Sequence, residues 1–137
     1  MQSQIKQRDF SNQIVYVGID VHKTKWVVTL RMGHMELKTF SMEPTVKVLV
    51  NHLKNNYPGA KYYSVYEAGQ SGFWIDRQLR AEEIINMVVN PADIPTMGWE
   101  KDKKNDYRDS RRLARELENH TIRGIYVPTE SLEALRS

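Results

Sequence analysis

The chain has 137 residues, no cysteine, and 20 basic against 17 acidic side chains, for a net charge of +3. A domain of that size buries enough surface to fold without disulfides or a structural metal, and the missing thiols exclude thiolate metal sites and cysteine nucleophiles. The mildly basic balance is compatible with a nucleic-acid partner without requiring one.

The opening "MQSQIKQRDFSNQ" lacks the apolar core of a signal peptide. No apolar run approaches the ~18 residues that a bilayer span needs, so a cytoplasmic protein is expected. Residues 1–12 are expected to form a flexible tail, with one domain over 13–128.

"IVYVGIDVH" (14–22) is apolar on both faces, as a central strand should be. "KWVVTLRM" (25–32) follows a short turn and is expected to pair antiparallel to it; "MELKTFSM" (35–42) alternates like a third strand after Gly33. "PTVKVLVNHLKNN" (44–56) has helical spacing, with Pro44 suited to a first turn and Gly59 beyond the end.

The pattern then changes to strand–helix alternation: strand 61–68, helix 72–83, and strand 85–90 closed by Pro91. A polar loop over 91–103, expected to be mobile, leads to a helix over 106–119 and a short strand over 122–127. Three consecutive strands followed by alternation imply an α/β fold, a mixed sheet with helices on its faces. Residues 129–137 read as the start of a helix that Thr129 or Ser131 would cap. The chain is therefore expected to be cut from something longer.

In "KKNDYRDSRRLARELE" (103–118) two aspartates stand among six basic residues. At about 100° per residue, Asp106, Asp109, Leu113 and Leu117 share roughly 80° of helix surface, with Arg108, Arg111, Arg112 and Arg115 opposite. The acids thus lie on the sheet-facing stripe, away from those cations. For a lone pair of acids at this spacing, capping and helix-dipole stabilisation are sufficient explanation.

Two further acids change the balance. Asp20 is embedded in the most apolar strand, where a carboxylate needs a partner, and Glu67 ends the strand "YYSVYEA". Each alone is explained by a frayed or solvated strand end. If the two strands are neighbours, Asp20 and Glu67 lie ~5 Å apart, and the 106–119 helix brings Asp106 and Asp109 over the same edge. Two carboxylates so placed repel by roughly 3 kcal/mol at an effective dielectric near 20. Hard divalent cations such as Mg²⁺, which take oxygen ligands, would offset that repulsion.

The blocks "YVGIDVHKTKWVV", "YEAGQSGFW", "VVNPADIP" and "KNDYRDSRRLA" resemble, in order and approximate spacing, the DEDD insertion-sequence transposases, bacterial recombinases guided by a bridge RNA. The resemblance covers most of residues 14–135. It implies an RNase H-like domain, similar to that of the RuvC Holliday-junction resolvase, with a five-stranded mixed sheet. It also implies a tetrad of Asp20, Glu67, Asp106 and Asp109 that binds Mg²⁺ or Mn²⁺ for DNA strand cleavage and transfer. A guide RNA and a homo-oligomeric full-length protein come with it.

The family's serine nucleophile lies on a second domain after a long helical connection. This chain ends before either, so it is expected to hold the metal half of a composite site and to be inactive alone. Ser110 stands where alanine is common, and Asn105 where threonine is common; neither disturbs the tetrad.

Lys23 and Lys104 are close enough in sequence to the acids to reach a phosphate beside the metals; a solvated lysine is the competing explanation for each. The arginine face of the helix is read as solvated. Tyr62, Tyr63, Tyr66, Phe73 and Trp74 are stacking candidates for which core packing is favoured. The histidines show no zinc spacing, and His22 is read as a turn residue near Asp20. Three other readings stand: a sugar-kinase or actin-like domain, disfavoured because the turn "VHKT" lacks glycine; a noncatalytic nucleic-acid or protein-interaction module; and a stand-alone resolvase-like nuclease.

Overall fold

A computed structural model of the chain describes residues 9–69, 72–89 and 106–122, the side chains of 106–108 excepted. The elements are β1 (Ile14–Val21), β2 (Trp26–Met32), β3 (Met35–Met42), α1 (Val46–Asn56), β4 (Lys61–Glu67), α2 (Trp74–Ala81), β5 (Ile85–Val89) and α3 (Asp106–Glu118). They match the expected elements to within one or two residues at each end. The expected loop over 91–103, the strand residues 123–127 and the helix start over 129–137 lie outside the described residues.

The strands form one sheet in the order β3-β2-β1-β4-β5. β1 pairs antiparallel with β2, and β2 with β3, whereas β1, β4 and β5 run parallel. This is the mixed five-stranded α/β arrangement implied by an RNase H-like domain.

Side-chain alternation sorts the sheet into two faces. Val15, Val17 and Ile19 of β1, with Trp26, Val28 and Leu30 of β2, pack against Leu49, Val50 and Leu53 of α1 and Ile75 and Leu79 of α2. On the other face Val65 of β4 and Val89 of β5 meet Leu113 and Leu117 of α3. β1 is therefore covered on both sides, which is why its sequence reads as a continuous apolar run.

Turn chemistry sets the joints. Gly33 and His34 both have positive φ (61° and 64°), as a two-residue hairpin of the type that matches strand twist requires. Thr45, not Pro44, caps α1: its Oγ1 accepts from the Val48 amide at 3.3 Å. Pro44 stands one residue earlier. Within the stretch expected as a tail, the Phe10 amide donates to the Pro58 carbonyl at 3.0 Å, and the Phe10 ring stacks edge-on against Tyr57 at 5.4 Å.

Candidate functional site

The seat of α3 on the sheet decides where its acids go. A Cβ built on Gly18 would stand 2.3 Å from the Ser110 carbonyl oxygen and 2.5 Å from the Ala114 nitrogen. Only glycine lets the helix backbone come this close to β1. Beside that contact the Thr29 hydroxyl, on the strand position paired with Gly18, bonds the Ser110 hydroxyl at 2.8 Å and the Thr39 hydroxyl at 2.8 Å. Both Thr29 and Ser110 are fully buried.

The direction of α3 follows from its other end. The buried Glu118 accepts from Arg31 Nε at 2.8 Å and from the His34 amide at 2.7 Å, and Arg31 is the cross-strand partner of Tyr16. Ser110 thus lies level with Gly18 and Glu118 near the level of Tyr16, so α3 runs antiparallel to β1. From Ser110 back to Asp106 is one helical turn, about 6 Å; from Gly18 on to Asp20 is two strand residues, about 6.6 Å. The N-terminus of α3 consequently overlies the carboxyl end of β1.

β4 brings the next acid to the same end. The parallel register runs to Ile19 opposite Tyr66, and Asp20 and Glu67 are the next residues of these neighbouring strands. Both are on the α3 face by alternation, since Gly18 and Val65 are. Asp109 is one turn before Leu113, whose row packs over Val65, so its position lies toward β4. Asp106 is the first residue of α3.

The backbone positions of Asp20, Glu67 and Asp109 thus fall toward the same end of the sheet as the start of α3, but the described side chains of Asp20, Glu67 and Asp109 are not grouped at metal-binding spacing. Among the described residues, no group of three or more His, Asp or Glu side chains is already spaced to hold a metal ion; Lys104 and the Asp106 side chain lie outside those described.

Asp20 is mostly covered, with 14% of its side chain accessible, and its Oδ2 lies 3.0 Å from His22 Nε2. His22 follows the last residue of β1 and its amide donates to the Lys25 carbonyl at 3.1 Å, so it is a turn residue beside Asp20, as expected. Lys23 is exposed on that turn. Arg111 and Arg115 are exposed, as expected, and Arg111 Nε lies 3.3 Å from Glu36 Oε2.

Tyr62 and Tyr66 are buried in the core and Phe73 packs against it, as favoured, but Trp74 stands 41% exposed. Burial pushes the Tyr66 hydroxyl up to about 12. That hydroxyl donates to the Gly72 carbonyl at 3.0 Å and accepts from the Asp76 amide at 3.3 Å. It thereby supplies the cap that Phe73, at the N-cap of α2, does not.

The buried carboxylate of Asp76 is held by Arg80 Nε at 3.0 and 3.1 Å and by Asn86 Nδ2 at 2.8 Å, and Asn86 in turn accepts from Ser64 at 2.6 Å. This network locks α2 to β4 and β5. Among the described residues no helix is long and apolar enough to cross a membrane.

No protein-family model matches the chain. It is similar to a putative transposase, y4rJ, of Sinorhizobium fredii, 31% identical over 114 residues that cover 75% of this chain and 29% of that protein. It is also similar to the transposase for insertion sequence element IS1533 of Leptospira borgpetersenii, 32% identical over 129 residues that cover 89% of this chain and 36% of that protein. The chain spans about a third of the length of these curated relatives. Among solved structures, T. thermophilus RuvC in complex with a Holliday junction substrate aligns with 82% of this chain and 99% of that one, at a TM-score of 0.46 and 7% identity.

Proposed function

We propose that this chain is the carboxylate-bearing part of a DNA transposase active site. The observation that carries the reading is the close contact of Gly18 with Ser110 and Ala114, which aims the N-terminus of α3 at the strand ends bearing Asp20 and Glu67. The similarity to transposases of two bacteria supports it.

The donor set fits a hard divalent cation: Asp20, Glu67, Asp106 and Asp109 offer only carboxylate oxygens, which Mg²⁺ and Mn²⁺ prefer. These four residues would hold the ion. Bound there, it supplies Lewis-acid polarisation of a scissile phosphate. The protein's own contribution is positional. His22 fixes one Asp20 oxygen, the Ser110–Thr29–Thr39 hydroxyl chain fixes the height of α3, and the N-terminal end of the α3 dipole favours anionic groups near it. Lys23 and Lys104 are assigned to the phosphates that flank the reacting one.

The attacking hydroxyl is assigned to a serine outside this chain, so the chain alone is inactive. A guide RNA and a homo-oligomer belong to the same proposal. Full-length protein carrying this segment is expected to transfer DNA strands in Mg²⁺, and Asp20→Asn or Asp106→Asn to abolish transfer while leaving the fold intact. Undiminished transfer by those variants would overturn the reading. Metal-dependent nicking by the 137-residue chain by itself would favour a stand-alone nuclease instead.

A further inference from the structure

Trp74 is the large exposed aromatic on α2, and its surroundings are those of a supported platform. Its ring lies 6.4 Å from that of Trp26, at an interplanar angle of 37°, and Trp26 is 99% buried, with 1% exposed. One side of Trp74 is thus backed by a fixed indole while much of the rest meets solvent. A bulky apolar ring left out of the core in this way loses the burial energy that the same residue would gain inside.

Its position is fixed as well as exposed. The Tyr66 hydroxyl, one residue before Glu67, holds both the Gly72 carbonyl and the Asp76 amide, which pins the first turn of α2 within a tyrosine's length of the β4 end. Trp26 is itself the register partner of Val21, next to Asp20. Trp74 therefore stands at the carboxyl edge of the sheet, on the α2 side, with the candidate carboxylates on the α3 side of that edge. Lys23, exposed on the turn that joins β1 to β2, puts positive charge at the same edge, suited to a polyanionic backbone.

We infer that Trp74 is a stacking platform for an unpaired nucleobase of a single strand laid across this sheet edge. An aromatic face accepts any base, and the rigid backing of Trp26 means that little side-chain freedom is lost on stacking. The inference rests on the proposed reading of this edge as a nucleic-acid site, but it requires no metal, so the two can fail separately.

The test is the affinity of the chain for a labelled oligothymidylate of about 20 nucleotides, measured by anisotropy in EDTA. Trp74→Ala is expected to weaken binding roughly 5- to 100-fold and Trp74→Phe much less, with circular dichroism unchanged. Equal affinity of Trp74→Ala and wild type, or no binding by the wild-type chain, overturns the inference. So does a dimer lost in Trp74→Ala without any change in oligonucleotide affinity, because a second copy would then be the occupant. Loss of Mn²⁺ binding in Asp20→Asn tests the metal reading independently of these outcomes.

Discussion

Gly18 and Ser110 are in backbone contact across the sheet–helix interface, so close that a single methyl on Gly18 would stand 2.3 Å from the Ser110 carbonyl oxygen. The contact lies one helical turn from Asp106 and two strand residues from Asp20, which makes it the fulcrum of the candidate site. Gly18→Ala is expected to push α3 outward and to destabilise the fold by about 1–3 kcal/mol, the range of core overpacking. It should also weaken divalent-ion binding by more than the loss of stability explains. Urea unfolding paired with Mn²⁺ titration checks both.

The hydroxyl chain beneath the same turn makes a finer prediction. Thr29 bonds both Thr39 and Ser110, so Thr29→Val leaves a buried Ser110 hydroxyl without that partner and should cost about 1–3 kcal/mol. Ser110→Ala removes one end only and leaves Thr29 bonded to Thr39, so a loss of about 0.5–1.5 kcal/mol is expected. Equal losses would mean that the two hydroxyls do not share one chain.

At the other end of α3, Glu118 is buried against Arg31 and the His34 amide. Glu118→Ala strands both donors and should cost about 2–4 kcal/mol, below the full penalty for breaking a buried pair because Arg31 keeps some water. The β2–β3 hairpin should lose amide-exchange protection before the rest of the sheet.

Much of this was legible in the sequence. The apolar run of β1, the alternation of β3 and the helical stripe of α3 each follow from periodicity alone. What could not be read was tertiary. Nothing local distinguishes the Gly18 contact from an ordinary strand glycine, because its cause is a helix nearly a hundred residues later. Ser110 has a use visible only through Thr29. His22 reads correctly as a turn residue near Asp20, but its 3.0 Å contact with the Asp20 carboxylate is not visible in the sequence. Its place within an expected helix favours core packing for Trp74, whereas at the first position of α2 it stands exposed.

Stability should depend on pH at both extremes. Burial, aided by the Lys38 charge, holds the His52 imidazole below its ordinary 6.5, so the unfolded chain takes up that proton first. Stability is therefore expected to be full above about pH 6.5 and to fall as the pH drops below it, with His52→Gln flattening the slope. Tyr66, raised from 10.0 to about 12 by burial, works in the opposite direction. The unfolded chain loses that proton first, so stability falls as the pH rises from about 10 towards 12. Tyr66→Phe should remove this part of the alkaline transition while costing the two hydroxyl bonds at α2.

On the proposed reading, Glu67 stands among carboxylates that repel one another when no cation is bound. In EDTA, Glu67→Gln should raise stability by roughly 0.5–2 kcal/mol, the usual gain when a functional site is neutralised. In saturating Mg²⁺ the order should reverse, because the wild type alone gains the full binding energy. A change within about 0.5 kcal/mol in both buffers is what a solvated strand end would give.

The most direct test is anomalous difference density from crystals of this chain soaked in Mn²⁺, with Asp20→Asn as control. A peak bounded by Asp20, Glu67, Asp106 and Asp109 that disappears in the variant is expected. Absence of a peak, with the four carboxylates turned away from one another, would contradict it and return Asp106 and Asp109 to the capping of α3.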